Sequence, residues 1–213
     1  MAKIAFPDTH KDFEMTQTAL TLATIDRREF VAQLMKKCPT ALVIPGLGSS
    51  NYDLFAAGDR PENFYMWGAM GGAASIGLGL ALAQPERDVI VLTGDGELLM
   101  GLGSLATIGA KQPKNLTILV LDNGHFGETG MQRSHTSLGT DLVNVAKACS
   151  IAQAEHLHTI DEVEKVTQAV AAKKGPAFFQ VKIKADEVPR ALPPRDGVFV
   201  KNRFRAALGF EPF

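Results

Sequence analysis

Val89-Ile90-Val91-Leu92-Thr93-Gly94-Asp95-Gly96-Glu97-Leu98-Leu99-Met100 is the stretch on which the reading of this chain turns. The run Val89 to Thr93 is short, β-branched and closed by a turn signal, which reads as a buried strand. Glu97 through Ala110 then has helical length and spacing. A second buried strand, Leu116 to Leu121, ends on Asp122-Asn123-Gly124. Two parallel strands therefore finish side by side, each delivering a carboxylate or carboxamide at its C-terminal edge, where ligands bind in open α/β sheets.

The residue types say what kind of ligand. Asp95 and the Asn123 amide are hard oxygen donors that suit Mg²⁺ or Ca²⁺ better than a soft metal. Gly94 and Gly96 let the backbone come close to a bound group. The N–H groups opening the helix at Glu97 and Leu98 favour an anion. A divalent cation, an oxygen-rich strand edge and a helix N-terminus together describe a metal–diphosphate site.

Gly94-Asp95-Gly96, twenty-five residues and then Asp122-Asn123 resemble the thiamin-diphosphate signature, GDG followed by a pair of asparagines, with Asp122 in place of the first Asn. Around it, Phe64-Tyr65-Met66-Trp67-Gly68-Ala69-Met70-Gly71 and Asp122-Asn123-Gly124-His125-Phe126-Gly127-Glu128-Thr129-Gly130 are similar to the β, diphosphate-binding half of sulfopyruvate and phosphonopyruvate decarboxylases. The similarity runs from about Ile25 to Ile183.

The resemblance implies roles for individual residues. Asp95, Asn123 and the backbone carbonyl of His125 would hold Mg²⁺. Backbone groups of Gly94, Gly96, Glu97 and Leu98, and of the turn at Phe126 and Gly127, would meet the diphosphate. The Gly68 carbonyl would accept the aminopyrimidine amino group, and Met70 would wedge the cofactor into its bent form. Gly46-Leu47-Gly48-Ser49-Ser50-Asn51 is either a tight strand-to-helix turn or, with Gly48, a further phosphate-contacting loop. The side chains of His125 and Arg133 are candidates for an anionic substrate or a phosphate, while Arg133 and His135 read equally as solvated loop residues. Glu97 departs from the small residue usual after GDG; a carboxylate there is unfavourable beside a diphosphate unless it points away or meets a cation.

The resemblance also implies what lies elsewhere. The glutamate that activates the aminopyrimidine sits on a pyrimidine-binding domain in such enzymes, and no segment here resembles one. The expectation is thus half of an active site, with no catalytic side chain assigned on this chain. A pyrimidine-binding α subunit would complete it in a hetero-oligomer, α2β2 or larger, acting on a small 2-oxo acid with an anionic tail. The rivals are a carboligase or transketolase-like subunit, an oxidoreductase β chain, a non-catalytic cofactor-binding protein and a plain nucleotide-binding module.

Composition sets outer bounds. At 213 residues and 46% hydrophobic, the chain suffices for one α/β domain with a full core. A net charge of −1 gives no argument for nucleic acid or an anionic membrane. Cys38 and Cys149 lack CxxC spacing and read as buried thiols rather than a disulfide or metal pair. The longest apolar run, Gly68 to Ala83, is sixteen residues of mostly small side chains, short of a membrane span. With no signal pattern at the N-terminus, a cytoplasmic protein is expected.

Along the chain, residues 1–19 read as an arm, 20–185 as a doubly wound, mainly parallel α/β domain with helices on both faces, and 186–213 as a proline-rich tail. Thr24 and Asp26 are helix caps for a segment ending near Lys37. Ala41 to Ile44 is the first strand, and Phe64 to Trp67 is extended. Gly68 to Leu82 reads as a small-residue helix. Asp141 caps another helix, followed by a strand at Ile151 to His156, a helix at Ile160 to Lys173 and a last strand at Ala177 to Ile183. Pro189, Pro193, Pro194 and Pro212 break regular structure in the tail, and its phenylalanines should lay it on the domain or on a neighbouring subunit.

Overall fold

A computed structural model describes residues 25–211. The arm, Thr24, Pro212 and Phe213 lie outside the described residues. Five parallel strands form one sheet in the order β1-β2-β3-β7-β6: β1 (Leu42–Pro45), β2 (Val89–Gly94), β3 (Leu116–Asp122), β6 (Gln153–Leu157) and β7 (Ala177–Lys182). The short strands β4 (His125–Phe126) and β5 (Gln132–Arg133) make a separate antiparallel hairpin after β3.

Helices cover both faces, so the central strands are apolar along their length. On one face Ile90 and Leu92 pack with Phe30 and Leu34 of α1 (Arg27–Lys37) and Val166 and Val170 of α7 (Val163–Ala172). On the other, Val89 and Val91 pack with Leu78 and Ala81 of α3 (Ala73–Ala83), Ile108 of α5 (Ser104–Lys111) and Val143 of α6 (Leu142–Ala148). Asp26 caps α1 by accepting the Glu29 N–H at 3.0 Å. The β2–β3 register ends on Gly94 opposite Leu121, so Asp95 and Asp122 leave the sheet edge as neighbours.

Three local readings need correction. The helix expected from Gly68 begins only at Ala73; before it the chain turns, with Ala69 at φ 57° and Gly71 at φ 90°. The helix expected from Glu97 to Ala110 is two, α4 (Asp95–Met100) and α5, parted at Gly101 to Gly103. Both breaks have one cause. Gly71 and Gly101 meet backbone to backbone, and a Cβ on Gly101 would lie 1.9 Å from the Gly71 carbonyl oxygen. No side chain fits there, and a straight helix on either side would drive the two turns apart.

The third correction is the tail, which contains α8 (Gly197–Ala207). Asp196 starts it by accepting the N–H groups of Val198 and Phe199 at 2.9 and 3.1 Å, and no proline falls within it. Val200 and Phe204 are buried, one in each core. Upstream, the Trp67 indole N–H donates to the Pro194 carbonyl at 2.7 Å, and the Arg195 guanidinium lies 5.1 Å from the Trp67 ring centroid. Among the described residues no helix is long and apolar enough to cross a membrane.

Candidate functional site

The carboxylates at the ends of β2 and β3 are both buried, yet they are held differently. Asp122 makes an ion pair with Lys182 and accepts from the Gln180 amide, the Gly124 N–H at 2.8 Å and the Thr136 hydroxyl at 2.8 Å. Asp95 accepts from the Ser134 hydroxyl and lies 3.2 Å from that of Thr136, whose single proton it shares with the nearer Asp122; among the described residues no cation is paired with it. Burial pushes its carboxyl up to about 6; the nearby Asp122 adds to the rise and the two hydroxyls oppose it. Of two neighbouring buried acids only Asp122 is paired with a lysine, an arrangement that a divalent cation at Asp95 would relieve.

Glu97 solves its own problem by pointing away. Its Oε1 accepts from the N–H groups of Gly71 at 2.8 Å and Ala73 at 3.2 Å, and its Oε2 from the Thr93 hydroxyl. The side chain therefore fixes the turn before α3 and supplies the cap that this helix lacks in its own sequence.

Beyond β3, the Asn123 side-chain oxygen accepts the His125 N–H at 3.0 Å, which leaves one of its lone pairs for another partner. The His125 Nδ1 lies 2.8 Å from the Asn123 carbonyl oxygen. Phe126 then packs so closely on Gly96 that a Cβ there would come within 2.6 Å of the ring. α2 (Ser49–Ala56) follows β1 through Gly48, which sits at φ 84° against Glu128. Glu128 is itself bonded to Arg190 of the tail at 2.9 Å.

An open cavity of about 380 Å³ joins these parts. Met70, Gly94, Asp95, Gly96, Glu97, Asn123, His125, Phe126 and Gly127 all line it. Gly48 does not, although its neighbours Leu47 and Ser49 do; Gly68 stands outside it, and the Leu98 side chain lies in the core. Arg133 is tied to Ser137 and His135 meets the Phe126 ring edge-on, both away from the cavity wall. Four residues around the acids, Ser134, Thr136, Gln180 and Lys182, were not singled out from the sequence. They reach the strand edge from a later loop and a later strand, with no local pattern to announce them. Arg27 and Asp53, also on the wall, were missed for the same reason.

The donor set fits a hard cation next to a diphosphate. It comprises one carboxylate, one carboxamide and a main-chain carbonyl, and among the described residues no three His, Cys, Asp or Glu side chains gather as a metal cluster. The buried, cation-poor Asp95 and the close-packed glycines on the wall agree with such a site.

Comparison with known proteins points the same way. The profile for "Thiamine pyrophosphate enzyme, C-terminal TPP binding domain" matches residues 48–181. A phosphonopyruvate decarboxylase of Streptomyces viridochromogenes is 40% identical over 177 residues, 81% of this chain and 43% of that protein. A sulfopyruvate decarboxylase subunit beta of Methanocaldococcus jannaschii is 47% identical over 110 residues, 52% of this chain and 58% of that one. The chain thus spans about half the length of these relatives. The 4-hydroxybenzoylformate decarboxylase of Rhodococcus jostii RHA1 shares the fold, with a TM-score of 0.67 at 22% identity over 78% of this chain and 34% of that structure. A match over most of the sheet, including both strand ends that carry the acids, assigns the chain to the thiamine pyrophosphate enzymes, as a bearer of their C-terminal TPP-binding domain.

Proposed function

We propose that this chain is the diphosphate-binding subunit of a Mg²⁺- and thiamin-diphosphate-dependent decarboxylase of small, anionic-tailed 2-oxo acids, of the sulfopyruvate or phosphonopyruvate type. A pyrimidine-binding partner chain completes its active site in a hetero-oligomer, α2β2 or larger. The observation that carries this reading is Asp95, a buried carboxylate held by hydroxyls and its own backbone N–H, with no cation paired to it among the described residues, at the mouth of a cavity with Asn123 and His125. Asp95, Asn123 and the His125 carbonyl hold the cation. Backbone groups of Gly94, Gly96, Glu97 and Leu98, with Gly48 and the Phe126-Gly127 turn, receive the diphosphate. Met70, 41% exposed on the wall, offers the apolar support for the aminopyrimidine beside the Gly68 carbonyl. When bound, thiamin diphosphate supplies the electron sink for losing CO₂ from a 2-oxo acid.

The partner is supported by what the wall's carboxylates are doing. Glu97 is engaged by Gly71, Ala73 and Thr93, Glu128 by Arg190, and Asp53 by two arginines. None of these described carboxylates is at liberty to activate an aminopyrimidine, which supports a carboxylate supplied by the other chain. The subunit name of the Methanocaldococcus relative and the longer Streptomyces chain agree with a site of two parts. Cys38 and Cys149 are free thiols, the first buried as expected and the second only half-buried, and they suit a cytoplasmic setting.

Native mass spectrometry of the complex purified from its own cells in Mg²⁺ buffer tests the reading. The expected species contains this chain, a second polypeptide and thiamin diphosphate, and releases CO₂ from sulfopyruvate or phosphonopyruvate. A homo-oligomer that turns over neither acid would overturn it.

A further inference from the structure

Arg27, the first residue of α1, lies outside the matched span 48–181 and yet reaches the cavity wall. It is 6% exposed, and among the described residues its one ion pair is with Asp53, Nε to Oδ2 at 3.2 Å, without the alignment of a hydrogen bond. Asp53 is fully buried and also serves Arg28, which donates to Oδ1 at 3.3 Å and to the Pro189 carbonyl. Two guanidinium groups therefore share one carboxylate. Arg28 finds its second acceptor in the tail, whereas Arg27 faces the cavity.

A buried guanidinium short of acceptors is costly until an anion meets its fork of N–H donors. The surroundings fit such an anion. Arg27 also lines an adjoining cavity, where Ser49 at the N-terminal end of α2, Asn123 and Gly127 converge. Of the acids on that second wall, Glu128 is taken by Arg190, and Asp186 and Glu187 are exposed at its rim.

We propose that Arg27 binds a phosphate-like oxyanion, acting together with the Ser49 end of α2. This inference rests on the proposed cofactor reading. Two sources share the chemistry: the terminal phosphate of thiamin diphosphate, or the sulfonate or phosphonate tail of the substrate. The first is expected, because the adjoining cavity includes Asn123 and Gly127 but not Met70.

Titration calorimetry and steady-state kinetics on the complex of this chain with its partner, in Mg²⁺, are the test, with thiamin diphosphate and thiamin monophosphate as probes. Arg27→Gln should weaken thiamin diphosphate binding about tenfold, the scale of one charge-assisted hydrogen bond, and narrow the preference over the monophosphate. Arg27→Lys, which keeps the charge and loses the fork, should fall between. Unchanged cofactor affinity with a tenfold rise in KM for the anionic-tailed acid, but not for pyruvate, assigns the oxyanion to the substrate. If neither affinity nor KM moves while the fold is retained, Arg27 is only a counter-ion for Asp53 and the proposal falls. Should Arg27→Gln not fold, the double variant Arg27→Gln/Asp53→Asn removes the buried pair together and gives the same readings. Failure of the unaltered complex to bind thiamin diphosphate would instead sink the parent reading.

Discussion

Two corners of the cavity bury charge in opposite senses. At the ends of β2 and β3, the carboxylates of Asp95 and Asp122 are buried side by side, and Lys182 pairs with Asp122 alone. At the start of α1, the guanidinium groups of Arg27 and Arg28 share the single carboxylate of Asp53. The first corner holds an acid with no cation paired to it among the described residues; the second holds a buried guanidinium, Arg27, whose carboxylate is shared with Arg28 and has Asp26 close by; both open on the same cavity. Purely structural ion pairs would be matched within the fold, since an unmatched buried charge costs several kcal/mol. The mismatch is what a ligand carrying its own cation at one end and an anion beside it would satisfy.

That contrast can be broken at either corner. Asp95→Ala removes the charged donor from the acid corner and should weaken Mg²⁺-dependent retention of thiamin diphosphate by about a hundredfold or more, read by calorimetry. Unchanged retention would remove the central claim. Lys182→Met leaves Asp122 buried without its cation and should cost about 3 kcal/mol of stability, seen as a lower midpoint in urea. Glu97→Ala leaves the N–H groups of Gly71 and Ala73 without their acceptor and should cost about 2 kcal/mol, with Glu97→Gln recovering most of it.

The gentlest probe is pH. The Asp95 carboxyl titrates near 6, above its ordinary 3.8. For this group the stability of the metal-free chain is highest below about pH 4 and declines as pH rises through 6, because the folded state resists the charge. Bound Mg²⁺ demands that charge. Its affinity should therefore fall below pH 6 by up to about tenfold per unit, measured by titrating Mg²⁺ at fixed pH values. A flat profile would mean that Asp95 is not the titrating donor.

Much of this was legible in the sequence, and the remainder has a shared cause. The buried strands announce themselves by apolar runs, and Gly94-Asp95-Gly96 and Asp122-Asn123 mark where β2 and β3 end. What could not be read are contacts made across tens of residues. The helix break at Gly101 exists because Gly71 lies against it, and the hydroxyls on Asp95 arrive from Ser134 and Thr136. Arg27 reads in one dimension as the polar start of an amphipathic helix; only the approach of α2 makes it a wall of the cavity. α8 was hidden by prolines that in fact flank it, Pro194 ahead of Gly197 and Pro212 beyond Ala207.

One detail of the tail gives the protein a built-in optical gauge. Trp67 is its single tryptophan, and it is fixed by the Pro194 carbonyl and covered by Arg195. All indole emission therefore comes from one spot, three residues ahead of Met70 on the cavity wall. Undocking of the tail would expose that ring to water and shift its emission to the red, while the rest of the molecule stays silent at that wavelength.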